Sequence, residues 1–126
     1  MAQYVIVCHA DGTRFAVPLD CVARLEKFDR STVEEVSGSH VVQYRGRLLP
    51  LTTIGGWHDN AARPVVAAVL NTSLGEVGLV VERVLDVATG KRAAGGSITV
   101  ADARATEVVD VESLINSCRH LLEAVS

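Results

Sequence analysis

The fold class is decided by one stretch of the chain, Val41-Val42-Gln43-Tyr44-Arg45-Gly46-Arg47-Leu48-Leu49-Pro50-Leu51. Arg45 and Gly46 lie between two runs of mainly apolar residues, each as long as a short strand. Glycine adopts a positive φ without steric cost, as a two-residue hairpin turn requires. Pro50 lacks a backbone donor, which favours an edge strand or the end of a strand at that point. The stretch therefore predicts a β-hairpin, and with it a β-rich fold.

Outside this hairpin, valine-rich segments alternate with turn residues along most of the chain. β-branched side chains favour strands because they suit a pleated, half-buried surface. Residues 21–28 fit a strand or a helix, and their alternation favours the strand. The polar stretch 29–38 predicts at most one helical turn, since its Ser31-Thr32-Val33-Glu34 matches a capping box. Further strands are predicted at 4–8, 14–17, 64–70, 77–87, 98–100 and 106–109.

The C-terminal segment changes from the period of a strand to that of a helix. Asp110 precedes the change as an N-cap, because a short carboxylate accepts hydrogen bonds from the first backbone N–H groups of a helix. This amphipathic helix is expected to pack on the strands, and the alternative is that its apolar face lies against another chain. The residues that form the face are Val111, Leu114, Ile115, Cys118, Leu121, Leu122 and Val125.

Length, charge and cysteine usage narrow the class of protein. The 126 residues are enough for one domain and too few for two ordinary ones. Acidic and basic residues are interspersed at a net charge of −3, so the basic stripe of a nucleic-acid binder is missing. The three cysteines form no C-x-x-C pair, which argues against a disulfide framework or zinc site. With no signal peptide and no apolar run near the roughly 20 residues that cross a bilayer, we expect a cytoplasmic protein without direct membrane insertion.

Reactive groups do not assemble into any known catalytic pattern. Cys118 and His120 are two residues apart on the predicted helix, and residues at that spacing point to different faces. Thr89-Gly90-Lys91 lacks the first glycine and the Ser or Thr of a phosphate-binding loop. The histidines have no H-E-x-x-H motif or carboxylate at ligand spacing around them; they are His9, His40, His58 and His120. We therefore expect no enzyme activity, no metal and no cofactor.

Four segments, taken in order, resemble motifs of the CheW-like domain family. They are F-A-V-P-L-D-C-V-A-R-L-E at 15–26, the R-G-x-x-L-P-L hairpin at 41–51, the G-x-x-V-D-x-V strand at 77–84 and the closing l-D-x-x-x-L segment at 110–115. In the third segment Glu82 stands where the family has Asp. The first half of the chain is most similar to the C-terminal regulatory domain of the chemotaxis histidine kinase CheA. A stand-alone CheW-type adaptor is the other form that the resemblance allows.

The resemblance implies a fold and a role. The fold is two intertwined, five-stranded, SH3-like β-barrels with a groove between them and a C-terminal α-helix. Residues 1–126 then form a single domain whose two halves divide near 53–63. The role is that of a non-catalytic scaffold, whose partners are chemoreceptor cytoplasmic helices, a CheA-type histidine kinase and another CheW-like adaptor.

On this reading, partner contacts are expected from both barrels. Arg45, at the tip of the hairpin, is expected to touch a partner, although an arginine beside a turn glycine is often simply solvated. Trp57 lies in a glycine-containing loop, and tryptophan is enriched at binding hot spots. The alternative is that Trp57 is a partly buried anchor for this loop. The first barrel is expected to contribute Val22, Leu25, Tyr44 and Leu49, and the second Gly78, Val81 and Val84. For at least half of the first group, core packing is the alternative role.

Two other classes of function are alternatives to the scaffold. A small β-barrel that binds nucleic acid or a small ligand needs exposed stacking aromatics and a positive face, and aromatic residues make up only 4% of the chain. A small hydrolase needs a nucleophile beside a base, which the sequence does not offer. The scaffold remains the prediction that the residues favour.

Overall fold

A computed structural model describes residues 2–9, 11–54, 56–57, 63–92, 97–99 and 105–125. These residues are mostly β-strand, as predicted, with short 3₁₀ turns at Leu19–Cys21 and Arg30–Thr32 and one α-helix at the C-terminal end. The strands and helix are β1 (Ala2–Cys8), β2 (Arg14–Pro18), β3 (Val22–Phe28), β4 (Glu34–Val36), β5 (Ser39–Tyr44), β6 (Arg47–Thr53), β7 (Val65–Thr72), β8 (Gly75–Val81), β9 (Arg83–Arg92), β10 (Ser97–Thr99), β11 (Ala105–Val108) and α1 (Val111–Val125).

Five strands close into a barrel in the order β1-β2-β11-β10-β9, with β9 returning to β1. β1 pairs antiparallel with β2 on one side, where Val5 lies opposite Val17, and with β9 on the other, where Val5 lies opposite Val87. A parallel pairing of Phe15 with Glu107 joins β2 to β11 and completes the ring. This set of strands matches one of the two predicted five-stranded barrels.

The remaining described strands form a six-stranded sheet in the order β3-β7-β8-β6-β5-β4, with β3 and β4 at its edges. The prediction of a second five-stranded barrel is therefore wrong in strand number and in closure. The additional strand is β4, three exposed residues within the stretch where the sequence predicted only a helical turn. Ser37 and Gly38, at φ of 51° and 80°, make the tight turn that returns the chain from β4 to β5. A polar strand with every residue exposed has no hydrophobic alternation, so its sequence carries no strand signal.

Pro50 lies within β6, an internal strand, and not at the edge or strand exit that the sequence predicted. Its position in the register explains why the sheet accepts it. β6 pairs with β8 only from Leu51 onwards, where Leu51 lies opposite Gly78. The missing backbone donor of Pro50 therefore falls just before the parallel ladder begins.

The chain passes between barrel and sheet twice, at Leu19–Cys21 and between Val81 and Arg83. β1, β2, β9, β10 and β11 supply the barrel, and β3 to β8 supply the sheet. The expected division near 53–63 instead falls between β6 and β7, which belong to one sheet. Residues 55 and 58–62 of that segment lie outside the described residues.

The largest apolar cluster lies between the barrel, the six-stranded sheet and the helix. On one face of β1, Val5 and Val7 point into this cluster. On the other face of β1, Tyr4 and Ile6 fill the barrel. β1 is thus covered on both faces, which explains its unbroken apolar run. The six-stranded sheet and the helix add to the first cluster the buried residues Ala68, Leu70, Val77, Leu79, Ile115 and Cys118.

The helix α1 begins as predicted. The Asp110 carboxylate accepts hydrogen bonds from the backbone N–H groups of Glu112 at 3.1 Å and Ser113 at 3.4 Å, as an N-cap does. Cys118 has non-helical angles, φ −128° and ψ 18°, and interrupts the helix there. Burial raises the pKa of its thiol, which donates to the Leu114 carbonyl at 3.3 Å. The side chains of the last predicted apolar positions, 121, 122 and 125, lie outside the described residues.

Candidate docking surface

A surface groove of about 520 Å³ runs along the margin where the barrel meets the six-stranded sheet. Its lining combines apolar side chains with charged side chains of both signs. The apolar residues are Leu25, Pro64, Val66 and Val84. The charged residues are Glu26, Lys27, Arg63, Glu82 and Arg83.

The position of β3 at the sheet edge leaves this groove uncovered. β3 pairs only with β7, where Leu25 lies opposite Ala68 and Lys27 opposite Val66. Ala68 is fully buried in the core between barrel and sheet, whereas Leu25, one strand further out, is 45% exposed. On the barrel side, Val84 lies opposite the buried Val7 on β1 and packs against the same core. The groove is thus the open margin of the main hydrophobic core.

The structure brings two of the predicted partner residues together here. Leu25 from the six-stranded sheet and Val84 from the barrel both line the groove, although they are far apart in the sequence. Val22, at the start of β3, is half-buried against the core and lies opposite Leu70. The groove therefore joins residues that the sequence assigned to different halves.

A second surface forms at the tip of the β5–β6 hairpin. Arg45 and Gly46 have φ of 52° and 79°, the left-handed values that a two-residue turn between twisted strands requires. The exposed Arg45 guanidinium lies over the Tyr44 ring, 5.4 Å from its centroid. A non-glycine residue at positive φ costs free energy, so the chain holds a cationic side chain here against local preference.

Arg24 on β3 ties this tip to the sheet. Its guanidinium lies 5.5 Å from the Tyr44 ring centroid and donates a hydrogen bond to the Tyr44 hydroxyl. It also forms an ion pair with Glu76. The hydrogen bond to Tyr44 and the Glu76 carboxylate raise the pKa of Arg24. Phe28 meets the Tyr44 ring edge-on, with centroids 5.6 Å apart, so Tyr44 is fixed from several sides.

The other three predicted residues are buried. Leu49 packs in the core beneath the β5–β6 hairpin, and Val81 packs in the core between sheet and barrel. Gly78 lies where β8 meets β6, and a Cβ there would meet the Leu51 side chain at 2.7 Å. Burial gives these residues a packing role, so we treat them as supports of the docking surface and not as contacts.

Sequence reasoning missed a stack around Trp57. The indole lies parallel to the His40 ring, with centroids 3.8 Å apart and planes 6° apart. The Arg30 guanidinium lies 5.8 Å from the indole centroid. The sequence singled out Trp57 as a loop anchor or hot spot, but nothing in it indicated these two partners.

Within the described residues, no cluster of three or more His, Cys, Asp or Glu side chains is placed to hold a metal ion. In the same part of the chain, no helix has the length and apolar character needed to cross a membrane.

Comparisons with known proteins bear on the fold. The family model for the CheW-like domain matches residues 4–119. Among solved structures, the chain is similar to the crystal structure of the scaffolding protein TtCheW from Thermoanaerobacter tengcongensis, with a TM-score of 0.55 and 12% identity. The match covers 76% of this chain and only 65% of that one, and at this identity it concerns the fold alone. A comparison with curated proteins finds no match.

Proposed function

Because the chain belongs to the CheW-like domain family, we propose that it is a scaffold module of chemotaxis-type signal transduction. In this role it couples chemoreceptors to a CheA-type histidine kinase by docking to both. The family is one of non-catalytic scaffolds, so phosphorylation belongs to the kinase. The site of action is the cytoplasm, beside membrane-bound receptor arrays that the module reaches through its partners.

The observation that carries the proposal is the groove between barrel and sheet. An amphipathic helix binds by placing an apolar stripe in a hydrophobic groove, and charged residues beside the stripe meet the rim. Leu25 and Val84 offer apolar surface on opposite sides of such a helix, while Lys27, Arg63 and Glu82 offer charges at the rim. We assign this groove to the cytoplasmic helices of a receptor.

The hairpin tip is assigned to the second partner, a kinase or another CheW-like domain. Arg45 projects from a rigid turn and is stacked on Tyr44, which Arg24 and Phe28 hold in place. A pre-positioned side chain loses less rotamer freedom on binding, so such a contact contributes more affinity than a mobile surface arginine. Tyr44 and Arg45 are not among the residues that line the groove, so one module offers a different surface to each of two partners.

The test uses the full chain, a receptor cytoplasmic fragment and a CheA-type kinase from the same signalling system. Size-exclusion chromatography and calorimetry should show binding of the chain to each partner separately, and a complex of all three. A folded chain that binds neither partner would overturn the proposal. Binding to single-stranded oligonucleotides instead would favour the small barrel that binds nucleic acid.

A further inference from the structure

A continuous series of contacts leads from the Trp57 stack to the rim of the groove. The first two contacts of this series both involve Arg30. Its guanidinium lies over the indole of Trp57, and its Nε donates a hydrogen bond to the backbone carbonyl of Arg63 at 3.0 Å. Arg30 is held in place by its 3₁₀ turn, whose N-cap Asp29 accepts a hydrogen bond from the Ser31 N–H at 3.0 Å.

Arg63 carries the series onward to the barrel. Its guanidinium forms an ion pair with Glu82, the residue between β8 and β9. The backbone N–H of Glu82 donates to the Cys8 carbonyl at 2.8 Å, which fixes Glu82 to the end of β1. The Arg63–Glu82 pair therefore bridges the segment before β7 and the junction with the barrel.

The same pair borders two spaces. Arg63, Pro64, Val66 and Glu82 line both the groove and a smaller cavity of about 60 Å³ beside Trp57. They form one partition between the indole and the proposed helix site. A shift of the Arg63 backbone therefore changes the shape of the groove and the position of the carbonyl that Arg30 contacts.

We propose that Arg30 is a positioning residue that couples the Trp57 stack to the Arg63–Glu82 side of the groove. One guanidinium contacts the indole and the Arg63 carbonyl at once, so it keeps both contacts only at one relative placement. Displacing Arg63 draws Arg30 away from Trp57, and displacing Trp57 releases Arg63. The coupling is a property of this chain, whereas its consequence for receptor docking rests on the proposed function.

Trp57 itself reports on the coupling, because it is the only tryptophan of the chain. The experiment is a double-mutant cycle with E82Q and R30A, read by the emission maximum and quencher accessibility of Trp57. E82Q, which removes the charge opposite Arg63, should change Trp57 emission in the otherwise native chain and leave it unchanged in the R30A chain. Coupling appears as this non-additivity. R119A, which removes an exposed arginine of α1, is the matched control and should leave Trp57 unaffected.

R30K keeps a cation near the indole but lacks the planar Nε–H that contacts Arg63. It should preserve the fold and the Trp57 stack while losing the response to E82Q. This variant keeps the test decisive if R30A fails to fold. The proposal is overturned if E82Q leaves Trp57 emission unchanged in the otherwise native chain. It is also overturned if E82Q changes the emission equally in the native, R30A and R30K backgrounds.

A second experiment measures binding of the receptor fragment. Its binding should change Trp57 emission in the native chain, and R30K should weaken binding by about two- to thirtyfold, the range of couplings between connected residues. If the native chain does not bind the fragment, the proposed function fails, and the E82Q cycle still decides the coupling. If R30K binds with native affinity and the native emission change, Arg30 does not position the groove.

Discussion

Gly78 of β8 lies against Leu51 of β6 so closely that a Cβ added to Gly78 would come within 2.7 Å of Leu51 Cδ2. The same Cβ would lie 3.4 Å from Leu49 Cδ2. Gly78 and Leu51 are also partners in the parallel pairing of the two strands. The leucine side chain crosses the glycine because no side chain occupies that side of β8.

The first prediction concerns this contact. G78A should lower the free energy of unfolding by about 1–3 kcal/mol, since an added methyl in a packed core forces its neighbours to shift. Urea denaturation followed by circular dichroism measures the change. The double variant G78A/L51A should lose less stability than the sum of the two single losses, because the two residues are in contact, while Q43A, an exposed residue of β5, should be nearly neutral. A G78A chain as stable as the native one would contradict the packing described for β6 and β8.

Substitutions of Arg45 test docking and stability separately. R45E should weaken binding of the second partner without lowering the melting temperature, because the side chain is exposed and belongs to no core. R45N should also weaken binding, yet raise the free energy of unfolding by up to about 1 kcal/mol, since Asn tolerates positive φ better than Arg. Calorimetry and thermal melts measure the two effects. Unchanged affinity in both variants would remove Arg45 from the docking surface.

The groove is tested by two equally exposed apolar residues. L25S should weaken receptor binding about fivefold, corresponding to loss of about 1 kcal/mol of apolar burial. V36S is the matched control, because Leu25 is 45% and Val36 46% exposed, and Val36 lies on β4, outside the groove. Both substitutions replace an already exposed side chain and should leave the fold intact. Equal losses, or none, would place the receptor site elsewhere.

The N-cap of α1 makes a prediction about stability alone. D110A should destabilise the chain by about 1 kcal/mol, because it leaves the N–H groups of Glu112 and Ser113 without the carboxylate oxygen they contact. D110N should retain most of that free energy, since its amide oxygen still accepts. Chemical denaturation of the native and variant chains measures both, and a D110A chain as stable as the native one would show that the cap contributes nothing.

Asp29 gives a pH prediction. Hydrogen bonds from the Ser31 backbone N–H and hydroxyl lower the pKa of the Asp29 carboxyl below its usual value. A lowered folded-state pKa means that the group stabilises the fold above its unfolded-state pKa, and this contribution is lost as pH falls through the folded-state pKa. NMR titration should therefore give Asp29 a midpoint below that of aspartate in an unstructured peptide. In S31A, which keeps only the backbone donor, the midpoint should move part of the way back.

Local chemistry explains which elements could be predicted from the sequence. The β5–β6 hairpin follows from Arg45-Gly46 between apolar runs, and α1 follows from Asp110 and a helical period. Both depend on residues that are near one another in the chain. The strand Glu34–Val36 could not be predicted, because an exposed edge strand with two glutamates shows no alternation of apolar and polar residues.

Non-local pairing explains what could not be predicted. The parallel pairs β2–β11 and β6–β8 join segments with other strands between them, and no local pattern encodes such a partner. The arrangement decides that Leu25 and Val84 share a groove while Leu49 and Val81 are buried. The contacts of Trp57 with His40 and Arg30 likewise depend on tertiary placement.

The pairing of Ala2 with Gly90, and of Phe15 with Glu107, places the first strands of the chain beside its last. During synthesis on the ribosome, β1 and β2 can pair with each other but emerge long before their other partners, β9 and β11. By contrast, β3 to β8 follow one another and include every described strand of their own sheet. Until β9 is synthesised, the apolar β1 can pair only with β2, in a hairpin whose apolar faces are uncovered and therefore prone to aggregation. Chaperone dependence of the nascent chain should accordingly end only when β11 leaves the exit tunnel.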